Sequence, residues 1–478
     1  MIKKVVDLKK INLLIFISFF PTFILRSNLN ISEIIYTLFI FMAPALLINY
    51  FLLEKKIINN FFLKVYLSTI IVFGIDNNVG LWNGIIQPIR FSLIDIFGVI
   101  YVPALILMII LIFFSTFIIK KADNKFYNVI LVFVITLFIF NIFDQTKSYK
   151  KIPNFVNSNN KDYKNVELVI IFDEMSGFKS FESLTDDGLE FNILAKKFFK
   201  KHNFEFYSDA KSIAGNTKTS VSALLNLTTS VKTRSQVTRP SPNYFIEYEL
   251  TKSLFFEKFN NISIYQGMHF DYCNFKNISK CEGYSPFNKN KYLPGYKDTF
   301  FSKIISLWKI NGSISSTFIW RLFRELRIVD SNLEPEGHKT SFQHLFQKIK
   351  KDVDSKNYDL IFVHTYVPHR PYGFNKSCDY DGSLSTLNRY KPTKDSVEQH
   401  NLERKCVLIF LDKFLEELKI SNNSDSINLT ILSDHGARII KEDNSYFSTI
   451  YAYRNSSTNY KEFKKEITIQ KVFADQYN

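Results

Sequence analysis

Carboxylate and imidazole side chains follow two apolar runs that are far apart in the chain. Asp173 and Glu174 come directly after VELVIIF, and Asp434 and His435 come after NLTIL within a Ser-Asp-His-Gly turn. If these runs are parallel strands, their carboxyl ends meet at one edge of a sheet, where ligands bind. Carboxylate oxygens together with an imidazole nitrogen are typical ligands of zinc or manganese. A loop acid satisfied by nearby backbone is the plainer interpretation of either turn, but the joint occurrence of both favours a metal site.

A third apolar run is expected to bring histidines to the same edge of the sheet, and the joint occurrence at three strand ends strengthens the metal-site interpretation. His364 lies within this run, DLIFVHT, and His369 lies in the VPHRPY segment that follows it. Arg438 follows the Ser-Asp-His-Gly turn. Its positive charge and its spacing from the turn suit the binding of an anionic substrate.

A run of small and hydroxyl residues, SIAGNTKTSVSALLNL, passes into an apolar helical pattern. Thr219 is expected at or near the N-terminus of this helix, where free backbone N–H groups and the helix dipole favour an anion. A hydroxyl at this place becomes a nucleophile when a metal ion lowers its pKa. The alternative is a plain N-cap threonine, which contributes about 1 kcal/mol to helix stability.

The apolar runs also predict the fold class. Short runs that are apolar throughout are typical of strands buried on both faces, and they alternate here with amphipathic helical patterns. This alternation predicts an α/β domain with a mainly parallel sheet covered by helices. Strands are expected at Val166–Phe172, Phe204–Lys211, Asp359–Thr365, Asn428–Leu432 and Ser448–Tyr453, and helices at Leu189–His202, Ser341–Val353 and Val397–Leu418.

The first third of the chain has a different composition. The sequence contains 60 Lys and Arg and 45 Asp and Glu, and only 18 of these charged residues lie in residues 1–143. A membrane crossing needs roughly 20 apolar residues, and basic residues favour the cytoplasmic side. Five crossings with the N-terminus inside satisfy this rule in every loop, although the first and third segments are short enough to be interfacial helices instead. The five segments are Ile11–Leu25, Ile34–Leu53, Phe61–Ile75, Ile96–Ile119 and Tyr127–Phe143.

This topology predicts the domain organisation and the location. Residues 1–143 are expected to form a transmembrane helical region of the inner or plasma membrane, 144–163 a linker, and 164–478 an extracytoplasmic domain. A transporter is disfavoured because the apolar segments contain few charges. The net charge of +15 does not indicate a nucleic-acid partner, since the lysines are scattered among acids.

Cysteine usage agrees with an exported domain. All four cysteines lie in the C-terminal part, and an even number there suggests disulfides. We expect Cys273 to pair with Cys281, because the two close a short loop, and Cys378 to pair with Cys406. Four free thiols in a reducing compartment are the alternative.

Taken together, these residues resemble the sulfatase/alkaline phosphatase superfamily. The similarity consists of a strand that ends in Asp-Glu, the KTSVS turn, a middle segment containing VPHRPY and the late Ser-Asp-His-Gly. Together with the apolar first third, the pattern is most similar to the membrane-anchored phosphotransferases, such as lipoteichoic acid synthases and lipid A phosphoethanolamine transferases. The catalytic likeness covers roughly residues 165–455, and the membrane likeness covers 11–143.

The resemblance implies a role for each matched residue. Thr219 would be the nucleophile and a metal ligand. Glu174 would be a further ligand, with Asp173 as its competitor. Asp434 and His435 would complete the shell around one divalent ion, zinc or manganese. His369, or less readily His364, would contact the transferred group or the leaving group.

The resemblance also implies a reaction. A phosphoryl-linked group would pass from a membrane lipid donor to a glycan or lipid acceptor of the cell envelope. The chain lacks the Cys/Ser-x-Pro-x-Arg run of enzymes that hydrolyse sulfate esters, and it has no histidine beyond His435, where phosphoethanolamine transferases usually have one. Hydrolysis of phosphate or sulfate esters, or a non-catalytic role in envelope assembly, are the alternative functions.

Overall fold

The structure is a computed structural model, and its chain divides into two compact units. One unit comprises residues 1–149 and 286–334, and the other comprises 150–285 and 335–478. The residues that the structure describes are 60–79, 101–121, 132, 136, 155–156, 165–238, 248–267, 270–283, 299, 333–370, 372–380, 394–421, 427–439 and 444–478.

Two helices are described in the first unit, α1 (Asn60–Val79) and α2 (Tyr101–Lys121). They contact each other, and Thr116 donates a hydrogen bond to Ser68 across the contact at 3.0 Å. None of the helices in the described part of the chain is both long enough and apolar enough for a membrane crossing. The first and second predicted segments, and nearly all of the fifth, lie outside the described residues, so the membrane topology stays a prediction.

The second unit contains helices and strands in the alternation that the sequence predicts. Its helices are α3 (Asp186–Lys201), α4 (Thr217–Leu225), α5 (Leu333–Ser355), α6 (Lys394–Ile420) and α7 (Ile469–Tyr477). Its strands are β1 (Phe155–Val156), β2 (Val166–Phe172), β3 (Glu205–Lys211), β4 (Val237–Thr238), β5 (Tyr248–Leu250), β6 (Ile262–Gln266), β7 (Phe270–Asp271), β8 (Ile278–Gly283), β9 (Leu360–Thr365), β10 (Ile427–Ser433), β11 (Ser448–Arg454), β12 (Lys461–Phe463) and β13 (Ile467–Thr468). The five strands and three helices expected from the sequence are therefore confirmed, with ends shifted by three residues or fewer, except that α5 begins eight residues earlier than expected.

The main sheet has the strand order β1-β8-β6-β9-β2-β10-β11-β3-β12, with β13 also paired to β3. The strands from β8 to β10 are mutually parallel, which confirms the predicted α/β class. The sequence did not indicate that β11 runs antiparallel between β10 and β3. β2 lies between β9 and β10, so all three acid- or histidine-bearing strands are neighbours.

The central position of β2 in the sheet explains why all of its residues except Glu167 are apolar. Leu168 and Ile170 point into one core cluster, which also contains residues of α3, α5 and α6. Val169 and Ile171 belong to a second cluster, with residues of α4 and α7. Because alternate residues of a strand face opposite sides, both faces of β2 are covered by helices.

Two disulfides are present, and they join the cysteines in the expected pairs. Cys273, which follows β7, is bonded to Cys281 in β8. Cys378 is bonded to Cys406, which connects the segment after β9 to α6. Disulfides persist in oxidising compartments, so this pairing is consistent with an exported domain.

Candidate metal centre

Asp173 and Asp434 lie side by side because the strands that precede them are hydrogen-bonded neighbours. β2 and β10 are parallel, and their register pairs Phe172 with Ser433. The N–H group of Asp434 donates to the carbonyl oxygen of Phe172 at 3.2 Å. Both aspartates are buried. The strand pairing alone therefore brings two carboxylates, 261 positions apart in the chain, to one place.

His435 presents one ring nitrogen to these acids. Its Nδ1 atom lies 2.8 Å from the carbonyl oxygen of Gly436, which can only accept, so Nδ1 carries the proton. The Nε2 atom lies 3.4 Å from Asp434 Oδ2 and 3.9 Å from Asp173 Oδ1. A metal-binding histidine usually donates its second N–H to a carbonyl or carboxylate in this way. His435 is therefore oriented as a ligand.

The three side chains fit a divalent metal ion. Asp173, Asp434 and His435 each offer one ligand atom, and these atoms lie within 4.8 Å of one another. Ligand atoms about 2.1 Å from a zinc ion are separated by about 3.4 Å in a tetrahedral site. The Oδ2 atom of Asp434 is buried and accepts no hydrogen bond from the described residues. Buried polar atoms are rarely left without a partner, and a cation would satisfy this one.

The charges of the cluster also favour a bound cation. Burial, helped by the charge of Asp173 and opposed by His435, raises the pKa of Asp434 to about 6. Two buried carboxylates repel each other when both are ionised. A bound divalent cation removes this repulsion, so metal binding and ionisation of Asp434 are expected to favour each other.

The hydroxyl that contacts the cluster belongs to Thr217. Asn216 is the N-cap of α4, and its side chain accepts a hydrogen bond from the N–H of Thr219 at 2.9 Å. Thr217 is therefore the first helical residue, with its Oγ1 atom 3.3 Å from His435 Nε2 and 3.4 Å from Asp173 Oδ1. Thr219 is buried in the same turn, and the assignment of the nucleophile to it stays a prediction. The strong N-cap preference of asparagine is the sequence signal that indicates Thr217.

Glu174 lies next to Asp173 in the chain but binds a different set of side chains. Its Oε1 atom accepts a hydrogen bond from Arg438 Nε at 2.6 Å and lies 3.6 Å from His369 Nε2. Burial by itself raises the pKa of Glu174. The surrounding positive charges, led by those of His369 and Arg438, outweigh burial and lower this pKa to about 2. Two of the predicted substrate contacts are therefore held together by Glu174.

His364 occupies a different position, as the penultimate residue of β9. Its Nδ1 atom lies 2.6 Å from the hydroxyl of Tyr272, and both residues are buried. Burial raises the pKa of Tyr272 well above its usual value, and the charges of Asp434 and Asp173 add to the effect. Tyr272 is therefore a neutral hydroxyl whose environment includes both acids. No motif in the sequence surrounds Tyr272, so sequence reasoning did not find it.

The glycine of the Ser-Asp-His-Gly turn is required by close packing. A Cβ atom at Gly436 would lie 2.5 Å from the carbonyl oxygen of Ser448 and 2.7 Å from that of Ser445. The N–H of Gly436 donates to the carbonyl oxygen of Tyr446 at 2.8 Å. Because only a hydrogen atom fits here, the turn can press against the start of β11 and keep its acid and imidazole buried.

Comparisons with known proteins give matches among solved structures alone. No protein-family model matches the sequence, and no curated protein matches it. Among the similar structures is a protein of the alkaline phosphatase superfamily from Vibrio parahaemolyticus, with 11% identity, a TM-score of 0.36 and coverage of 66% of this chain and 66% of that chain. A phosphonate monoester hydrolase from Silicibacter pomeroyi has 10% identity, a TM-score of 0.40 and coverage of 65% and 71%. The C-terminal periplasmic domain of EptC from Escherichia coli has 12% identity, a TM-score of 0.33 and coverage of 68% and 88%. The function of this chain is therefore inferred from its own side chains.

Proposed function

We propose that this protein is a metal-dependent enzyme of the sulfatase/alkaline phosphatase type. It transfers a phosphoryl-linked group, of the phosphoethanolamine or phosphoglycerol kind, from a membrane lipid donor to an envelope glycan or lipid. The observation that supports the proposal most directly is the cluster of Asp173, Asp434 and His435, with the hydroxyl of Thr217 in contact with Asp173 and His435. These groups come from two strand ends and one helix N-terminus.

Asp173, Asp434 and His435 would hold one divalent ion, with zinc or manganese as the best match to an O,O,N ligand set. When bound, such an ion lowers the pKa of an adjacent hydroxyl and offsets negative charge on a phosphoryl oxygen. The backbone N–H groups in the first turn of α4 and the helix dipole add to the stabilisation of that charge.

Thr217 acts as the nucleophile in a two-step transfer. Its Oγ1 atom attacks the donor phosphorus, a P–Oγ1 bond forms, and the bond from phosphorus to the lipid oxygen breaks. The hydroxyl proton of Thr217 ends, in net terms, on the released lipid alcohol. In the second step an acceptor hydroxyl attacks the same phosphorus, and the P–Oγ1 bond breaks to restore Thr217.

The half-exposed Arg438 is suited to hold the anionic phosphoryl group near this hydroxyl. Anchoring in a membrane is consistent with a lipid donor, because a lipid does not diffuse to a site in solution. Two disulfides favour a location outside the cytoplasm.

The test compares Thr217→Ala with Thr219→Ala in the full-length protein. Each variant is incubated with labelled lipid donor, and the intact mass of the protein is measured for a covalent adduct. We expect Thr217→Ala to lose both the adduct and the transfer activity, because the nucleophile is gone, and Thr219→Ala to retain both. The opposite result would assign the nucleophile to Thr219, as the resemblance implies. An adduct and full activity in both variants would refute the threonine mechanism.

Hydrolysis differs from transfer only in the acceptor of the second step. Release of the labelled group into water at the same rate with and without glycan or lipid acceptor would identify a hydrolase. A non-catalytic assembly protein would show neither adduct nor turnover. In that case, Asp434→Ala would leave the metal content unchanged.

A further inference from the structure

The carboxylate of Glu174 is one residue away from a candidate ligand, yet it belongs to a separate group of side chains. At this edge of the sheet the ligand atoms of Asp173, Asp434 and His435 converge, and Glu174 is not part of that group. Its Oε1 atom instead accepts from Arg438 Nε at 2.6 Å. The side chain of Glu174 is only 1% exposed, and its Oε2 atom, like Asp434 Oδ2, has no hydrogen-bond partner among the described residues. Because this carboxylate is buried, it is a rigid support for the guanidinium group of Arg438.

The backbone of Glu174 is held by the same loops. Its φ of 59° lies in the left-handed region, which costs about 1–3 kcal/mol for a residue that is not glycine. In this conformation its N–H group donates to Asp434 Oδ1 at 3.2 Å. The next N–H group, that of Met175, donates to Ser433 Oγ at 2.9 Å. Glu174 is thus fixed to the metal-binding turn by its backbone and to Arg438 by its side chain.

Among the described residues, the guanidinium group of Arg438 is hydrogen-bonded through a single nitrogen, Nε. Arginine has five N–H donors, and Nε supplies one of them to Glu174. The other four find no acceptor among the described residues, and 44% of the side chain is exposed. Arg370 Nη2 donates to the backbone carbonyl of Arg438 at 3.2 Å, which restrains the main chain. The paired terminal nitrogens of Arg438 are therefore available for a tetrahedral oxyanion, whose geometry suits such a fork.

We propose that Glu174 is not a metal ligand but a positioning residue, which holds Arg438 so that its free terminal nitrogens bind the oxyanion of the substrate ester. The proposal rests on the proposed function, since it takes the metal site to be formed by Asp173, Asp434 and His435. Without Glu174, a half-exposed arginine samples many rotamers and loses much of its affinity for the anion.

The experiment measures metal content and oxyanion affinity in the purified full-length protein. The variants are Glu174→Ala, Glu174→Gln, Arg438→Ala, the double variant Glu174→Ala/Arg438→Ala, and Asp173→Asn as the ligand control. Metal content is measured by mass spectrometry, and binding of inorganic phosphate and inorganic sulfate by calorimetry. Neither measurement requires turnover, so a failed transfer assay does not affect them.

We expect Glu174→Ala and Glu174→Gln to keep the metal content of the unsubstituted protein, whereas Asp173→Asn loses it. Glu174→Ala and Arg438→Ala should each weaken oxyanion binding by about tenfold, because one charge-assisted contact is lost or loosened. Glu174→Gln should recover part of this loss, since its amide oxygen still accepts from Nε. The double variant should bind no more weakly than Arg438→Ala, because Glu174 acts through Arg438. Comparison of the phosphate and sulfate titrations identifies which oxyanion the terminal nitrogens of Arg438 prefer.

Two results would overturn the proposal. One is loss of metal in Glu174→Gln to the same extent as in Asp173→Asn, which would make Glu174 a ligand. The other is unchanged oxyanion affinity in Glu174→Ala, or a further loss when this change is added to Arg438→Ala. Thermal unfolding of each variant identifies misfolded protein, and Glu174→Gln, which preserves size and hydrogen bonding, decides the question if Glu174→Ala is unstable.

Discussion

Asp352 and Asp434 are both buried carboxylates of the same compact unit, yet their surroundings differ. Asp352 accepts hydrogen bonds from Lys280 at 2.7 and 2.8 Å, one to each oxygen. Its Oδ2 atom also accepts from Ser263 at 2.6 Å and from Tyr265 at 2.9 Å. The chain therefore supplies both the counter-charge and the hydrogen bonds that a buried carboxylate needs.

Only one of the two carboxylate oxygens of Asp434 accepts hydrogen bonds from the described residues. Its Oδ1 atom accepts from the N–H groups of Glu174 and His435, at 3.2 and 2.7 Å. Its buried Oδ2 atom accepts no hydrogen bond from the described residues. The difference suggests different roles, because a carboxylate neutralised by lysine stabilises the fold, whereas one left open beside a second acid and an imidazole can bind an external cation.

The largest expected effect comes from Asp434→Asn. The variant should lose bound metal and reduce turnover by about 1000-fold or more, because the nucleophile and the developing charge lose their metal. In chelator the same variant should be as stable as the unsubstituted protein, or more stable, since one of two buried like charges is removed. Metal analysis, transfer assays and unfolding in chelator test this. A strong loss of stability in chelator would place Asp434 in the same class as Asp352.

The second largest effect is expected at the buried ion pair of Lys280 and Asp352. Lys280→Met should lower the free energy of unfolding by about 3–5 kcal/mol, because Asp352 is left as a buried charge without a counter-charge. Urea unfolding measures this, and the folded variant should retain its metal. The matched control is Lys179→Met, since Lys179 pairs with Asp209 but is 58% exposed. This control should change the free energy by about 1 kcal/mol or less. Equal losses in the two variants would contradict the comparison.

A smaller effect, dependent on pH, is expected at Glu167, on β2. Burial raises its pKa from the usual 4.5 to about 7, although hydrogen bonds from Tyr477 and Asn428 oppose the rise. Between these two pH values the folded state keeps the proton that the unfolded state has lost, so stability falls as the pH rises through this window. The total fall is about 3 kcal/mol. Unfolding measured from pH 4 to 8 should show this slope, and Glu167→Gln should remove most of it. An identical slope in Glu167→Gln would refute the assignment.

The sequence predicted those parts of the site that depend on strand ends. Asp173 and Asp434 were found because apolar runs identify buried parallel strands, whose carboxyl ends must meet. Residues in turns were less predictable. The choice between Asp173 and Glu174 depends on a left-handed backbone at Glu174, and the choice between Thr217 and Thr219 depends on which residue caps α4. The contact of Arg438 with Glu174 joins loops whose course no periodicity encodes.

The adjacency of Asp173 and Glu174 has a consequence for the length of their turn. Consecutive residues perform two separate tasks, so deleting one residue before this turn would shift Glu174 into the place of Asp173, and inserting one would shift Asp173 into the place of Glu174. A shift of one residue would therefore disrupt both the metal site and the support of Arg438, even if the remaining side chains were all retained. In any redesign of the protein, the spacing of this turn is therefore as constrained as its composition.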